Sequence, residues 1–153
     1  LILSLPENDR RVTPEVVEER IGVSKDFNAY ELRSAIVNRD VLKATRILYY
    51  FNDNPKTGNA YMLIPMLFSY FQNLLIEFYA PQPKTDESVA RWLDLRAGWA
   101  AKDYITGMRN YTGVKVMQII GKLRETDAKS KGLGNTIATP GDLLKELAYF
   151  ILH

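Results

Sequence analysis

Few side chains in this sequence could carry catalytic chemistry. The chain has no cysteine, and its one histidine is His153, the last residue. Disulfide bonds, thiolate nucleophiles and metal sites built from cysteine and histidine are therefore excluded, because the chain lacks the side chains that they need. No pair of carboxylates stands apart from the ordinary charges of helix surfaces, so acid–base catalysis has no candidate. We predict no catalytic residue, no cofactor and no metal site.

The segment 131–136 (KGLGNT) comes closest to a nucleotide-binding loop. A phosphate-binding loop carries its Lys-Ser/Thr pair after the second glycine, between a strand and a helix. Here Lys131 precedes both glycines, and no strand pattern comes before it. The segment therefore argues against ATP binding.

Two charged residues at the end of a long helical pattern have the spacing of an ion pair. Asp127 and Lys131 are four residues apart, which places them on one side of a helix. We predict a structural pair here, with Asp127 on the inward side of the helix below Leu123. The alternative for Lys129 and Lys131 is a contact with nucleic acid.

The bulk composition is that of an ordinary globular protein. The chain has 153 residues, of which 46% are hydrophobic and 25% charged, and its net charge is +2. Residues 84–131 carry ten basic and six acidic side chains, a mild basic bias that is compatible with nucleic acid nearby. No apolar run approaches the roughly 20 residues of a membrane-spanning helix, and no signal peptide is visible. We expect a cytoplasmic protein, and the opening on Leu1 suggests a fragment of a longer one.

Helix signals recur along the whole chain. Asn28 and Glu31 have the spacing of a capping box, Asp40 is a second N-cap, and Thr139-Pro140 is a third helix start. We predict an all-α helical bundle of about seven or eight helices. They are expected at about 14–21, within 27–51 as two short helices meeting at 38–40, at 61–79, from Val89 to before Gly98, at 99–110, at 112–129, and from Thr139 to the end.

The pattern also predicts how some helical residues are used. Pro65 should lie in the first turn of its helix, because proline deeper in a helix removes a hydrogen bond. Gly121 lies inside the next long helix, and we expect it to mark close helix packing. The buried line of that helix is expected to be Val116, Met117, Ile120 and Leu123.

The last helix has more apolar residues than one stripe requires. Its apolar line runs from Leu143 through Leu147 to Ile151. We expect a subunit interface at three residues that lie off this line, Tyr149, Phe150 and Leu152.

Residues 27–51 resemble the delta subunit of bacterial DNA polymerase III, a component of the sliding-clamp loader. That family shows an aromatic residue, a leucine, an Ala-apolar pair, a short joint, then Lys-Ala and Ile-Leu. Further matches in register are the Thr13-Pro14-Glu15 start, Trp99 with Lys102, and Asp127 followed by Lys131-Gly132, so that the resemblance extends from about Val12 to Ile151. In residues 27–51 the matching positions are Phe27, Leu32, Ala35-Ile36, Asn38-Arg39-Asp40, Lys43-Ala44 and Ile47-Leu48.

The resemblance implies a domain organisation and a non-catalytic role. Residues 1–38 would be the remnant of a small lid-like helical domain of the AAA+-related subunit, and residues 39–153 its helical collar domain. The collar of delta assembles with delta prime and the gamma/tau subunits, whose ATP hydrolysis opens the sliding clamp and loads it on primed DNA during replication. The clamp is bound by an N-terminal domain that this sequence lacks, and DNA is reached through the assembled complex. The nucleotidyltransferase activity of the DNA polymerase III holoenzyme would belong to the assembly.

Two other classes of function are kept as alternatives. A stand-alone helical DNA-binding or regulatory domain would show a contiguous Lys/Arg face. An enzyme with carboxylate chemistry would need a concave pocket that holds several acidic side chains.

Overall fold

The computed structural model of the chain describes residues 26–80, 83–93, 101–133 and 138–153. All regular secondary structure in these residues is helical, which confirms the predicted all-α fold. The helix predicted at 14–21 and the residues Gly98 and Trp99 lie outside the described residues. The helices are α1 (Ala29–Val37), α2 (Val41–Asp53), α3 (Ala60–Phe78), α4 (Asp86–Trp92), α5 (Ala101–Asn110), α6 (Gly113–Ser130) and α7 (Pro140–Leu152).

The first two helices begin where the sequence predicts. The amide of Glu31 donates to Asn28 Oδ1 over 2.9 Å, and the amide of Asn28 donates to Glu31 Oε1 over 3.0 Å. At the start of α2 the amide of Lys43 donates to Asp40 Oδ1 over 3.1 Å. These bonds satisfy amides that have no partner within the helix, so each helix start is fixed by its own sequence.

The last helix begins with the same chemistry. Thr139 and Asp142 form a reciprocal capping box, with bonds of 3.1 and 3.2 Å, and Pro140 occupies the first turn. The pKa of Asp142 lies below its usual range, because its carboxylate accepts hydrogen bonds from the backbone amide and from the side chain of Thr139.

Helix α3 is the centre of the bundle. It contacts α1, α5, α6 and α7, and α2 completes the core by packing on α1 and α7. All seven helices contribute buried apolar residues to one hydrophobic cluster. Its largest fully buried side chains are Tyr70, Phe51, Phe71, Leu32, Ile36, Ile47, Leu63, Leu67, Leu74, Ile119, Leu123 and Leu147.

Two buried tyrosines connect helices through their hydroxyl groups. Tyr70 of α3 donates to the carbonyl of Asp103 in α5 over 2.6 Å, and its ring stacks on Tyr104 with centroids 4.9 Å apart. Tyr111, which follows α5, donates to the carbonyl of Ile36 in α1 over 2.6 Å. Burial raises the pKa of both hydroxyls, so both remain protonated donors at neutral pH.

The joint between α1 and α2 is held by hydrogen bonds with the end of α5. Arg39 adopts a left-handed backbone conformation with φ of 57°, and its Nη1 donates to the carbonyl of Asn110 over 2.9 Å. The side-chain amide of Asn110 donates to the carbonyl of Val37 over 2.7 Å. The Arg39 guanidinium also lies 5.1 Å from the centre of the Tyr111 ring. The core therefore continues across residue 38, where the sequence predicts a domain boundary; that division itself stays a prediction.

The expected place of Pro65 is wrong. The amide of Met62 donates to Asn59 Oδ1 over 3.2 Å, so α3 begins at Ala60 and Pro65 lies inside the helix, beyond its first turn. Since proline has no N–H, the carbonyl of Tyr61 loses its usual partner within the helix. The ring of Pro65 is exposed, so the core is packed by its neighbours.

The predicted buried line of α6 is partly wrong. Met117 is exposed, Ile120 is half-buried, and Ile119 is fully buried between Val116 and Leu123. Gly121 marks no close packing, because a Cβ added there would have no atom within 4 Å. The helix carries apolar residues on two adjoining faces, so its sequence alone leaves the buried face ambiguous.

None of the helices in the described residues is both long enough and apolar enough to cross a lipid bilayer.

Candidate interaction surface

Helices α2 and α7 pack side by side in opposite directions. Val41 at the start of α2 lies beside His153 at the end of α7, and Asn52 at the end of α2 lies against Gly141 at the start of α7. The inner faces of both helices are buried in the core. Their outer edges form a seam that no other helix among the described residues covers.

A groove of about 170 Å³ follows this seam. Thr45 of α2 and Ala148 of α7 are among its lining residues, and both have short side chains. A second recess of about 80 Å³ continues it towards Pro140 and also includes Leu48. We call the first recess the α2–α7 groove, and its lining is Val41, Thr45, Leu48, Tyr49, Lys145, Ala148, Tyr149, Leu152 and His153.

Exposed aromatic rings border the α2–α7 groove. Tyr49 is 58% exposed and Tyr149 is 68% exposed, although both line the groove. The Tyr149 ring stacks on the His153 ring with centroids 4.3 Å apart. Leu42, two turns before Tyr49 on α2, is also largely exposed. Apolar surface of this kind is typical of a site that another molecule covers.

Lys145 is the charged side chain that lines the groove. Its ammonium lies 4.9 Å from the centre of the Tyr49 ring, at cation–π distance. Arg46 is exposed on the outer face of α2, between Leu42 and Tyr49 at helical spacing. Within the described part of the chain, neither cation forms an ion pair.

The three residues predicted as an interface have different surroundings in the structure. Tyr149 is exposed beside the groove. Phe150 is half-buried and faces α6, where the ammonium of Lys115 lies 4.3 Å from its ring centre and that of Lys122 lies 5.7 Å away. Leu152 is only 5% exposed, so of the three residues it offers the least surface to a partner, and the interface itself stays a prediction. It packs into the core because it follows Ala148 by one turn, and it forms part of the groove floor.

The predicted partners Asp127 and Lys131 lie together on the surface. Lys131 Nζ is 3.1 Å from Asp127 Oδ2, and the two side chains are 58% and 41% exposed respectively. The inward orientation expected for Asp127 is therefore wrong. The pair also lines a shallow recess of about 300 Å³, together with Ile64, Pro65, Phe68, Leu123 and Arg124.

Lys129 belongs to a separate ion-pair network. Its ammonium lies 3.0 Å from Glu125, and Lys122 joins Glu125 and Glu146 over 3.6 and 3.5 Å. The hydrogen bond from Lys129, with the charges of Lys122 and Lys129, holds the pKa of Glu125 below its usual range. The same bond raises the pKa of Lys129. The alternative of a nucleic-acid contact by Lys129 or Lys131 stays a prediction.

Sequence reasoning missed Tyr49 and Lys145. Tyr49 falls outside the apolar line of α2, which runs through Ala44, Ile47 and Leu48, so an off-line aromatic was the available signal. Lys145 carries no such signal, because a lone lysine on a helix resembles any solvated surface charge.

No group of three or more acidic, histidine or cysteine side chains in the described ranges could hold a metal ion. The α2–α7 groove with its exposed aromatic rings is the candidate surface for binding another macromolecule. Comparison of the chain with protein families, with curated proteins and with solved structures gives no match.

Proposed function

We propose that this chain is a non-catalytic assembly subunit of the clamp-loader delta type. In this role its helical bundle acts as a collar that joins delta prime and the gamma/tau ATPase subunits in the cytoplasm. The assembled loader then opens the sliding clamp and places it on primed DNA.

The resemblance of the sequence to the delta family supports this proposal. The matched positions in residues 27–51 fall on α1, on the joint and on α2. Leu32, Ala44 and Ile47 are buried, so these matches occupy core positions. The all-helical bundle is also compatible with a collar domain.

The observation that carries the proposal is the exposed seam of α2 and α7. A collar must present helix faces to its neighbours, and this seam combines apolar and aromatic surface with an uncovered groove. Aromatic side chains at the centre of an interface commonly contribute most of its binding energy.

A binding titration with a charged substitution tests the proposal. We expect Tyr149→Glu to remain folded, because the ring is exposed, and to weaken binding to the loader ATPase subunits at least about 10-fold. The matched control is Tyr30→Glu on α1, whose side chain is equally exposed and lines neither recess of the seam. Phe150→Glu is the second predicted interface variant. It is expected to lose some stability, because it removes the cation–π contacts with Lys115 and Lys122.

The parent chain must bind at least one loader subunit in this titration. Absence of binding to all of them would reject the proposed function. Salt-dependent binding of duplex DNA by the isolated chain would instead support the DNA-binding alternative. Parent-like affinity of both Tyr149→Glu and Phe150→Glu would place the subunit interface elsewhere.

A further inference from the structure

The α2–α7 groove has the shape of a receptor for apolar side chains. Its lining combines the buried apolar side chains of Leu48, Ala148 and Leu152 with the exposed rings of Tyr49 and Tyr149. An engineered protein cavity of about 150 Å³ is known to bind benzene. A groove of about 170 Å³ is therefore large enough for one aromatic or branched aliphatic side chain.

The charged side chain in the groove lining is a cation. Lys145 lines the groove and Arg46 lies on the adjoining face, and neither has an ion-pair partner among the described residues. The neighbouring acids of α7 are already engaged. Asp142 accepts the amide of Thr139, and the charge of Lys145 also contributes to its lowered pKa. Glu146 lies 3.5 Å from Lys122 of α6. A partner that places a carboxylate beside the groove would form an ion pair with Lys145 or Arg46, whereas a basic partner would be repelled.

The same charges argue against a second copy of this chain as the occupant. A symmetric contact centred on the seam would bring Lys145 of one copy towards Lys145 of the other. None of the side chains in the groove lining is acidic, so such a contact supplies no side-chain carboxylate to Lys145 from the lining. The complementary occupant is a different, acidic surface.

We propose that the α2–α7 groove binds an acidic amphipathic helix of a partner protein. Apolar side chains of that helix enter the groove between Tyr49 and Tyr149, and a carboxylate on its flank pairs with Lys145. Helix-in-groove binding of this kind uses anchors at positions i, i+3, i+4 and i+7. The inference rests on the proposed function, because it uses the same seam of α2 and α7 as the binding surface. It adds the chemical character of the partner that binds there.

Two synthetic helical peptides of about 18 residues test the proposal, a length at which helices can form in water. Both carry the same apolar face of leucines at i, i+3, i+4 and i+7, and they differ only in having glutamate or lysine on the flanks. Their dissociation constants are measured by titration at low salt. Amide chemical shifts of Thr45 and Ala148 report whether the peptide occupies the groove.

We expect the parent chain to bind the acidic peptide about 10-fold more tightly than the basic one. Lys145→Glu should reverse this preference, because the groove then carries the opposite charge. The matched control is Arg109→Glu on α5, which makes the same charge change at an exposed position outside the groove lining and should keep the preference of the parent. Circular dichroism confirms that each variant is folded.

Several results would overturn the proposal. These are equal affinity of the parent for both peptides, no binding of either, shifts confined to residues outside the groove, or reversal by Arg109→Glu as well. Concentration-dependent dimerisation that protects Thr45 and Ala148 would assign the groove to a second copy. Binding of loader subunits without a charge preference for the peptides would reject this inference and leave the proposed function standing. The charge preference without loader binding would reject the proposed function and retain the acidic helix.

Discussion

Glu77 is a carboxylic acid enclosed by the core near the end of α3. Its side chain is fully buried, and neither carboxyl oxygen has a hydrogen-bond partner. Burial raises the pKa of this carboxyl, and the charge of Lys84 offsets only part of the increase. The Lys84 ammonium itself donates to the backbone carbonyls of Glu77 and Ala80, over 2.9 and 2.6 Å. Burial therefore disfavours the ionised form of Glu77 relative to the same group in water.

This burial predicts a pH-dependent effect of replacing Glu77. Since its folded pKa lies above the unfolded value of about 4.3, its contribution is most favourable below that pH and is lost as the pH rises through the folded pKa. We expect Glu77→Met to raise the free energy of unfolding at pH 7 by about 1–3 kcal/mol, because an unsatisfied buried group is removed. The gain should be smaller at pH 4. Urea titrations at both pH values measure it.

The matched control is Glu87→Met, since Glu87 is exposed on α4. It should change stability by less than about 0.5 kcal/mol at either pH. A gain for Glu77→Met that is the same at pH 4 and pH 7 would contradict the raised pKa of this carboxyl.

The exposure of Asp127 sets the expected effect of removing its charge. Its ion pair with Lys131 is open to solvent on both sides, so water and salt screen the interaction. We expect Asp127→Ala to change the free energy of unfolding by no more than about 0.5 kcal/mol, as measured by the midpoint of a urea titration. A loss of 1–3 kcal/mol, the cost of breaking a buried pair, would show that Asp127 is enclosed in solution.

Two helical glycines show how an element's surroundings decide the effect of one methyl group. A Cβ at Gly121 of α6 would meet open space, whereas one at Gly107 of α5 would collide with the hydroxyl of Tyr70 and approach Leu74 to 3.2 Å. We expect Gly121→Ala to stabilise the fold by about 1 kcal/mol through helix propensity. Gly107→Ala should destabilise it by about 1–3 kcal/mol, because the Tyr70 ring must move.

Thermal unfolding of the two alanine variants makes this comparison, and each serves as the control of the other. Stabilisation by both would show that the α3–α5 contact is looser than the structure gives. Destabilisation by Gly121→Ala would show that Gly121 lies in a packed interface between helices.

Helix starts could be predicted from sequence because their hydrogen bonds are local. Asn28 with Glu31 and Thr139 with Asp142 are each three residues apart, and these bonds form as expected. The buried face of α6 could not be fixed in the same way, since Met117 and Ile119 are both apolar and lie on different faces of the helix. Which of them enters the core depends on the position of α3, against which α6 packs.

The candidate surface was predictable only in part for a related reason. Tyr149 was found as an aromatic residue outside an apolar line. The groove beside it needs two helices that are about ninety residues apart in sequence, and Lys145 gains a role only from the nearness of Tyr49. Such juxtaposition is a property of tertiary packing, which helical periodicity does not encode.

At the scale of the whole molecule, α1 shares the core with the later helices. Leu32 and Ile36 of α1 are almost fully buried in the same cluster as Leu67 and Phe71 of α3. We therefore expect α1 and α3 to open together in native-state hydrogen exchange, with equal free energies of exchange at these four amides. The amide of exposed Lys56, in the loop between α2 and α3, is the fast-exchanging reference.

A lower free energy of exchange in α1 than in α3 would contradict this shared opening. It would support an independent unit that ends near residue 38.

The end of α1 has a consequence for the order in which the chain can acquire its structure. The carbonyls of Ile36 and Val37 receive hydrogen bonds from Tyr111 and Asn110, which follow them by 75 and 73 residues. During synthesis on the ribosome, the first described helix emerges long before Asn110 and Tyr111 are made. Its last turn can reach the native arrangement only after residue 111 has left the exit tunnel, so a nascent chain shorter than this would present those carbonyls to water or to chaperones.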